Sequence, residues 1–134
     1  IILFIMNFPQ VITNVATQTI YLSKEGELRA SCDSLFSTTG WQKNRALQHF
    51  PLLTSIFTRL AVMQVGEQQI NIPKVEGVAY LPRGFYDFSF SCVFLNGQEF
   101  IRWVIYDYTE RYSVLQRTQQ AEHNDYLNRD HKLG

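Results

Sequence analysis

The sequence lacks several features that would by themselves indicate a class of function. It contains only two cysteines, Cys32 and Cys92, too few for a disulfide framework or a cysteine-rich metal site. Twelve basic and twelve acidic residues give a formal net charge of zero, which offers no electrostatic case for binding nucleic acid or an anionic membrane. The longest apolar run, at the very start, is far shorter than the roughly 20 residues of a transmembrane helix.

Motifs of catalysis are also missing. The chain has no Gly-rich phosphate loop, no nucleophile elbow and no cluster of His, Cys and Asp at metal-ligand spacing. Asp107 is the one carboxylate at a sharp transition between predicted elements, and the sequence offers no partner that would make it catalytic. We therefore expect no catalytic residue and no metal site, and we interpret the chain as a non-enzymatic module.

The sequence does contain the material for one folded domain. A hydrophobic content of 46%, with 10 Phe, 7 Tyr and 2 Trp, is typical of a globular core. Segments rich in aromatic and β-branched residues predict strands, at 17–22, 28–31, 69–72, 75–81, 85–95 and 100–108. Gly26 and the Asn96-Gly97 pair predict tight hairpin turns. The predicted order is two strands, a helical middle and a final antiparallel meander.

Two helices are predicted in the middle of the chain. Asp33 and Ser34 are suited to cap a short helix that stops near Gly40. A longer amphipathic helix is predicted by apolar residues at spacings of three and four, namely Phe50, Leu53, Phe57 and Leu60. Pro51 fits the first turn of that helix, where its missing N–H costs nothing.

Both ends of the chain predict flanking helices. Residues 1–15 open with an apolar stretch that Pro9 interrupts, and we expect an N-terminal flanking helix that packs on the domain or on a second copy. Because the sequence begins at Ile1 rather than Met, we expect a piece of a longer chain. Residues 111–134 contain no helix breaker before Gly134 and predict a C-terminal helix.

The C-terminal helix has a weak apolar seam. Positions at spacings of three and four include Tyr112, Leu115 and Tyr126, separated by polar residues. A stable coiled coil needs apolar residues at nearly all such positions over three or more heptads. We interpret these three residues as candidates for a marginal dimer seam, which a few kcal/mol of bias would rearrange. A helix that is merely solvated is the alternative.

The transition from the last strand to this helix falls at Asp107, Thr109 and Glu110. A carboxylate there is suited to cap the helix N-terminus, Thr109 to share that role, and Glu110 to interact favourably with the helix dipole. These three residues are our candidates for a junction that couples the sheet to the helix.

Three short motifs together resemble the PAS family. Gly26 with Leu28 is similar to its "dG.I" hairpin, and Phe36 with Thr39-Gly40-Trp41 is similar to its "f..ltGy" segment. The run from Asp107 to Arg111 is similar to the "D-I-T-E-R" close of its last strand. The resemblance implies an α+β fold, a PAS-like five-stranded antiparallel sheet with helices on one face. It divides the chain into a flanking helix (1–15), a PAS-like domain (16–110) and a signalling helix (111–134).

The resemblance also implies a function. We expect a sensory or dimerisation module of a bacterial signal-transduction protein, cytoplasmic and homodimeric, with a downstream histidine kinase or cyclase as output domain and no membrane contact of its own. A small-molecule ligand would occupy a cup between sheet and helices. The candidate cup residues are Phe50, Phe57, Phe88, Phe90 and Trp103. The alternatives are a structural adaptor with a filled core, and a small-ligand carrier or enzyme in which His49 faces Asp87.

We expect no bound cofactor. Haem in a PAS-like cup requires an axial histidine, and His49, the only histidine in the helical middle, is interpreted as a helix-end side chain. Flavin photochemistry in the family uses a cysteine within an Asn-Cys-Arg-Phe-Leu-Gln stretch, which this sequence does not contain. Cys32 and Cys92 are instead interpreted as packing residues.

Overall fold

A computed structural model describes residues 8–11, 13–41, 46–77 and 80–133. Within these residues the chain forms one five-stranded antiparallel sheet with helices, which confirms the predicted α+β fold class. The elements are β1 (Thr17–Leu22), β2 (Leu28–Ser31), α1 (Ala46–His49), α2 (Pro51–Ala61), β3 (Ile70–Glu76), β4 (Phe85–Leu95), β5 (Gln98–Asp107) and α3 (Thr109–Leu133). The strands lie in the order β2-β1-β5-β4-β3. The last two strands before the C-terminal helix, β4 and β5, are therefore neighbours, with β5 at the centre of the sheet.

The core lies between one face of the sheet and the helices. On β5, Trp103 and Ile105 point into this core, while the intervening Val104 lies on the opposite, outer face. The predicted amphipathic helix is α2, whose buried residues are Leu53, Phe57 and Leu60. Pro51 occupies its first turn, as predicted.

The edge strand β3 differs from the sequence prediction. Two segments, 69–72 and 75–81, were expected, whereas the structure has one strand, Ile70–Glu76, with a break in register between Ile72 and Val75. Pro73 has no N–H to donate, and Lys74 adopts a left-handed φ of 53°. The irregularity lets the strand resume its pairing with β4 after the proline, so the two apolar segments belong to the same strand.

The short helix predicted after β2 is absent, because a distant side chain binds the backbone of this loop. The buried Gln18 accepts the N–H groups of Leu35 and Phe36 at its Oε1, at 3.0 and 2.9 Å. Asp33 has a left-handed φ of 51°, and its carboxylate accepts the N–H and the hydroxyl of Thr38. These bonds satisfy the backbone without a helical turn, and the segment forms a loop.

The prediction of an N-terminal flanking helix over 1–15 is wrong where it can be assessed. Residues 1–7 and 12 lie outside the described residues, and residues 8–11 and 13–15 are not helical. Phe8 instead packs on the outer face of the sheet, with its ring 5.0 Å from that of Tyr21 and 5.2 Å from that of Phe100. The Tyr21 hydroxyl donates to the Pro9 carbonyl at 2.7 Å. Pro9 is unfavourable inside a helix, and these contacts hold the described part of the segment against the sheet.

Candidate functional site at the sheet-to-helix junction

The chain passes from β5 into α3 with a single residue between them. Asp107 is the last residue of β5, and Thr109 is the first of α3. One carboxylate oxygen of Asp107, Oδ1, accepts the Thr109 N–H at 3.1 Å and the Thr109 hydroxyl at 2.7 Å. The carboxylate thus accepts a helix N–H that has no partner within the helix, and its negative charge interacts favourably with the positive end of the helix dipole. The exposed Glu110 adds a second negative charge in the first turn.

Thr109 also joins the helix to β4, the neighbouring strand. Its hydroxyl oxygen accepts the Phe85 N–H at 3.0 Å, and the Phe85 carbonyl accepts the N–H of Tyr108 at 3.0 Å. The start of α3 is therefore bonded at once to the end of β5 and to the beginning of β4. If either strand shifts at this end, the start of α3 must shift with it or these hydrogen bonds must break.

Two glycines allow the backbone to approach the junction closely. A Cβ on Gly84 would overlap Thr109 Oγ1 and would lie 3.1 Å from Thr109 Cγ2. A Cβ on Gly77 would overlap the carbonyl of Pro82. The Gly77 N–H donates to the Gly84 carbonyl at 2.8 Å, so the two glycines are bonded to each other beside Thr109. At both positions any larger residue would displace a neighbour.

Tyr86 supports the junction from the core side. It pairs with Asp107 across the β4–β5 ladder, and its hydroxyl donates to the Pro82 carbonyl at 2.8 Å. Burial raises the pKa of this tyrosine above its ordinary value, and the negative charge of Asp107 raises it further. The hydroxyl is therefore protonated at neutral pH and available as a donor to the turn.

Open clefts lie on both sides of Thr109. One, of about 640 Å³, is lined by Asn14–Ala16 and by the chain from Asp107 to Arg111. The other, of about 690 Å³, is lined by Glu76, Gly77, Arg83, Gly84, Phe85 and Thr109. The Asp107 N–H donates to the Ala16 carbonyl at 2.9 Å, so the segment before β1 also ends at this site. Three parts of the chain converge on a solvent-accessible junction.

The candidate cup residues lie together in the core. Phe50, Phe88 and Trp103 form a group of mutual ring contacts, with centroids 5.3 to 5.7 Å apart. Phe90 stacks on Trp103 at 5.8 Å, and Phe57 lies in the same cluster. The indole N–H of Trp103 is buried and has no acceptor among the described residues. The sequence thus identified residues that pack against one another, and one of them keeps an unpaired donor.

His49 lies at the end of α1 in a second aromatic group. Its ring stacks on Trp41 at 5.2 Å, and its Nδ1 is 3.0 Å from the hydroxyl of Tyr80. The expected alternative pairing with Asp87 is not formed, since Asp87 lies on the outer face of β4 and accepts other donors. The buried atoms His49 Nε2 and Trp41 Nε1 have no partner in the described part of the chain.

The seam candidates on α3 have different environments. Leu115 and Tyr126 are 49% and 63% exposed, and Val114 and Leu127 beside them are also exposed. Tyr112 is half-buried, and its hydroxyl donates to Asp87 Oδ1 at 2.7 Å. Leu115 and Tyr126 are therefore free to contact another molecule, whereas Tyr112 already contacts the sheet.

Several residues at this site were not predicted from the sequence. Gly84 had no assigned role, and Asp87 was considered only as a partner of His49, because the sequence of a strand does not show what lies above each of its faces. The one available signal was Gly84 immediately before a strong strand pattern, where a glycine often marks a close backbone approach. The loop-binding role of Gln18 had no local signal.

Comparison with protein-family models, with curated proteins and with solved structures finds no match to this chain. Within the described residues, no helix is both long enough and apolar enough to cross a membrane. The five-stranded antiparallel sheet with helices is compatible with a PAS-like α+β fold.

Proposed function

We propose that this chain is a PAS-like sensory or dimerisation module of a signal-transduction protein, which passes a change in its sheet through the junction to α3. The observation that carries the proposal is the position of Thr109. Its hydroxyl bridges Asp107 on β5 and Phe85 on β4, at 2.7 and 3.0 Å. A displacement between the two strands therefore acts directly on the first residue of the helix.

The α3 helix is suited to report such a displacement. Its 25 residues span about 37 Å at 1.5 Å per residue. Residues 114–128 are exposed throughout, and a polar helix of this kind gains little stability by itself. Pairing with α3 of a second copy would bury Leu115 and Tyr126, which lie at seam spacing. Because such a seam is weak, a small change at the junction would shift the dimerisation equilibrium.

The signal in this proposal enters through the core cup or through a contact with a neighbouring domain. The buried N–H of Trp103, which has no acceptor in the part of the chain that the structure describes, supports a ligand, since such a donor costs about 1–3 kcal/mol that a ligand acceptor would recover. In the full-length protein the output would be a kinase or cyclase domain that follows α3, in the cytoplasm of a bacterium.

A structural adaptor is the second candidate. It is favoured by the mutual contacts of Phe50, Phe88 and Trp103, which fill space that a ligand would otherwise occupy. An adaptor would also dimerise, but its dimer would not depend on the junction. A sensory module therefore predicts that a change at Thr109, which lies away from the proposed seam, alters dimerisation, whereas an adaptor predicts that it does not.

Sedimentation equilibrium of the 134-residue chain tests the proposal. We expect a reversible dimer that Leu115→Glu weakens at least tenfold. Asn124→Glu, which adds the same charge on the opposite face of α3, should have little effect. Thr109→Ala should change the dissociation constant at least threefold, whereas Thr58→Ala, at an exposed threonine on α2, should not. A chain that remains monomeric at all concentrations, or a dimer insensitive to Thr109→Ala, would overturn the proposed coupling.

A further inference from the structure

Asp87 joins the edge strand β3 to the helix α3. It lies half-buried on the outer face of β4, and its Oδ1 accepts the Lys74 N–H at 3.0 Å and the Tyr112 hydroxyl at 2.7 Å. Lys74 belongs to the edge strand β3, and Tyr112 to the first turn of α3. Hydrogen bonds to an ionised carboxylate are stronger than those between neutral groups, so one oxygen ties the edge strand to the helix.

The side chains of Lys74 and Tyr112 reinforce this connection. The Lys74 ammonium lies 5.5 Å from the ring centre of Phe85 and 5.7 Å from that of Tyr112. The two rings meet edge to face at 5.9 Å. A cation within about 6 Å of an aromatic ring is attracted to it. Lys74 does this from a left-handed backbone conformation, which non-glycine residues adopt only where their surroundings hold them.

These contacts attach the helix at a second point, and Phe85 takes part in both, through its backbone at the junction and through its ring here. The junction bonds the first residue of α3 to β4 and β5, which leaves the helix one point of attachment. Tyr112 lies three residues further along, and through Asp87 it reaches β3, which pairs only with β4 within the described sheet. Two points of attachment on one helix fix its direction as well as its position.

We propose that Lys74, Asp87 and Tyr112 form a latch through which the edge strand β3 sets the direction of α3. A change at β3, such as movement of its irregular segment at Pro73-Lys74, would release or hold the helix independently of the β4–β5 junction. The latch extends the proposed function by adding a second route into α3, but the contacts that define it do not depend on dimerisation. The raised pKa of Tyr112, caused first by its hydrogen bond to Asp87, agrees with a hydroxyl held in its protonated form.

Hydrogen–deuterium exchange of the 134-residue chain, read by mass spectrometry, tests the latch. Tyr112→Phe keeps the ring and removes the hydroxyl, while Thr118→Val is the control, because it removes an exposed hydroxyl that bonds the Val114 carbonyl of the same helix and lies outside the proposed seam. We expect Tyr112→Phe to speed exchange about tenfold in residues 110–118 and also in β3, a change worth roughly 1.4 kcal/mol. The β1–β2 hairpin should be unaffected. Faster exchange in α3 with no change in β3 would overturn the latch, because coupling must be reciprocal.

A second variant tests the latch from the strand. Lys74→Gly removes the strain of a left-handed backbone conformation, because glycine adopts it readily, and this should stabilise β3. The same change removes the cation next to the Tyr112 ring. The latch predicts exchange about two- to fivefold faster in residues 110–118 despite the relief in β3. Unchanged or slower exchange there would overturn it. Both variants are measured below the concentration at which the chain dimerises, so that a failure of the proposed function leaves this result interpretable.

Discussion

The close approach of Gly84 to Thr109 permits a quantitative test of the junction. A Cβ at residue 84 would overlap Thr109 Oγ1, and overpacking of this kind costs about 2–3 kcal/mol. Thr109→Ala removes the hydroxyl that binds both Asp107 and Phe85, which costs about 1–2 kcal/mol. If the two changes were independent, the double variant would lose about 3–5 kcal/mol.

The two changes should not be independent. In the double variant Gly84→Ala/Thr109→Ala, the overlapping Oγ1 and the Cγ2 at 3.1 Å are both gone, and the closest remaining side-chain atom at residue 109 is its Cβ at 3.2 Å. We therefore expect the double variant to lose about 2–3 kcal/mol, at least 1 kcal/mol less than the sum of the single variants. Urea denaturation followed by circular dichroism and tryptophan fluorescence measures all four proteins.

A glycine away from the junction provides the control. Gly97 in the β4–β5 hairpin has a φ of 82° and nothing within 4 Å of its missing Cβ, so Gly97→Ala introduces backbone strain without a collision. Its cost should add to that of Thr109→Ala within about 0.5 kcal/mol. Additivity of the Gly84 pair to the same precision would refute the close contact on which our account of the junction rests.

Two further predictions concern pH and the loop after β2. Four tyrosines have pKa values raised above the ordinary 10.0: Tyr21, Tyr86, Tyr106 and Tyr112. A tyrosine whose pKa is higher in the folded than in the unfolded chain stabilises the fold at pH values below the unfolded pKa, and this stabilisation is lost as the pH rises through the folded pKa. Urea denaturation should therefore show stability falling above about pH 10, and falling less steeply in Tyr112→Phe. Equal slopes for the two proteins would contradict the bond to Asp87. Gln18→Leu leaves the N–H groups of Leu35 and Phe36 unpaired and should cost about 3–5 kcal/mol by the same measurement, and a loss below 1 kcal/mol would contradict their assignment to Gln18.

The parts of the fold that follow local patterns were predictable. In β4 every second residue is apolar, and the structure buries Tyr86, Phe88, Phe90 and Cys92 on one face, as this alternation indicates. The exception is Phe94 near the end of the strand, which is 61% exposed because the core does not extend that far. Apolar spacings of two residues in a strand, and of three and four in a helix, show which face of each element is apolar, and the hydrophobic effect then turns that face toward the core.

The parts that failed depend on partners distant in sequence. The loop at 33–38 looked helical because its residues are good caps, but its backbone is bound by Gln18, 17 and 18 residues earlier. The bond between Asp87 and Tyr112 spans 25 residues and had no local signal. At the junction Asp107 accepts a helix N–H, as expected of a cap. The hydroxyl of Thr109 does not share that role and instead accepts the Phe85 N–H of β4, a bond that could only be seen once β4 and β5 were paired.

The dependence of dimerisation on Thr109 tests the central claim most directly. Thr109 lies at the junction, outside the proposed seam of Leu115 and Tyr126, so an effect on association must pass through the direction or stability of α3. Sedimentation equilibrium of the wild-type chain and Thr109→Ala is predicted to give reversible dimers whose dissociation constants differ at least threefold. Equal constants for two folded proteins, or no dimer in either, would contradict the account.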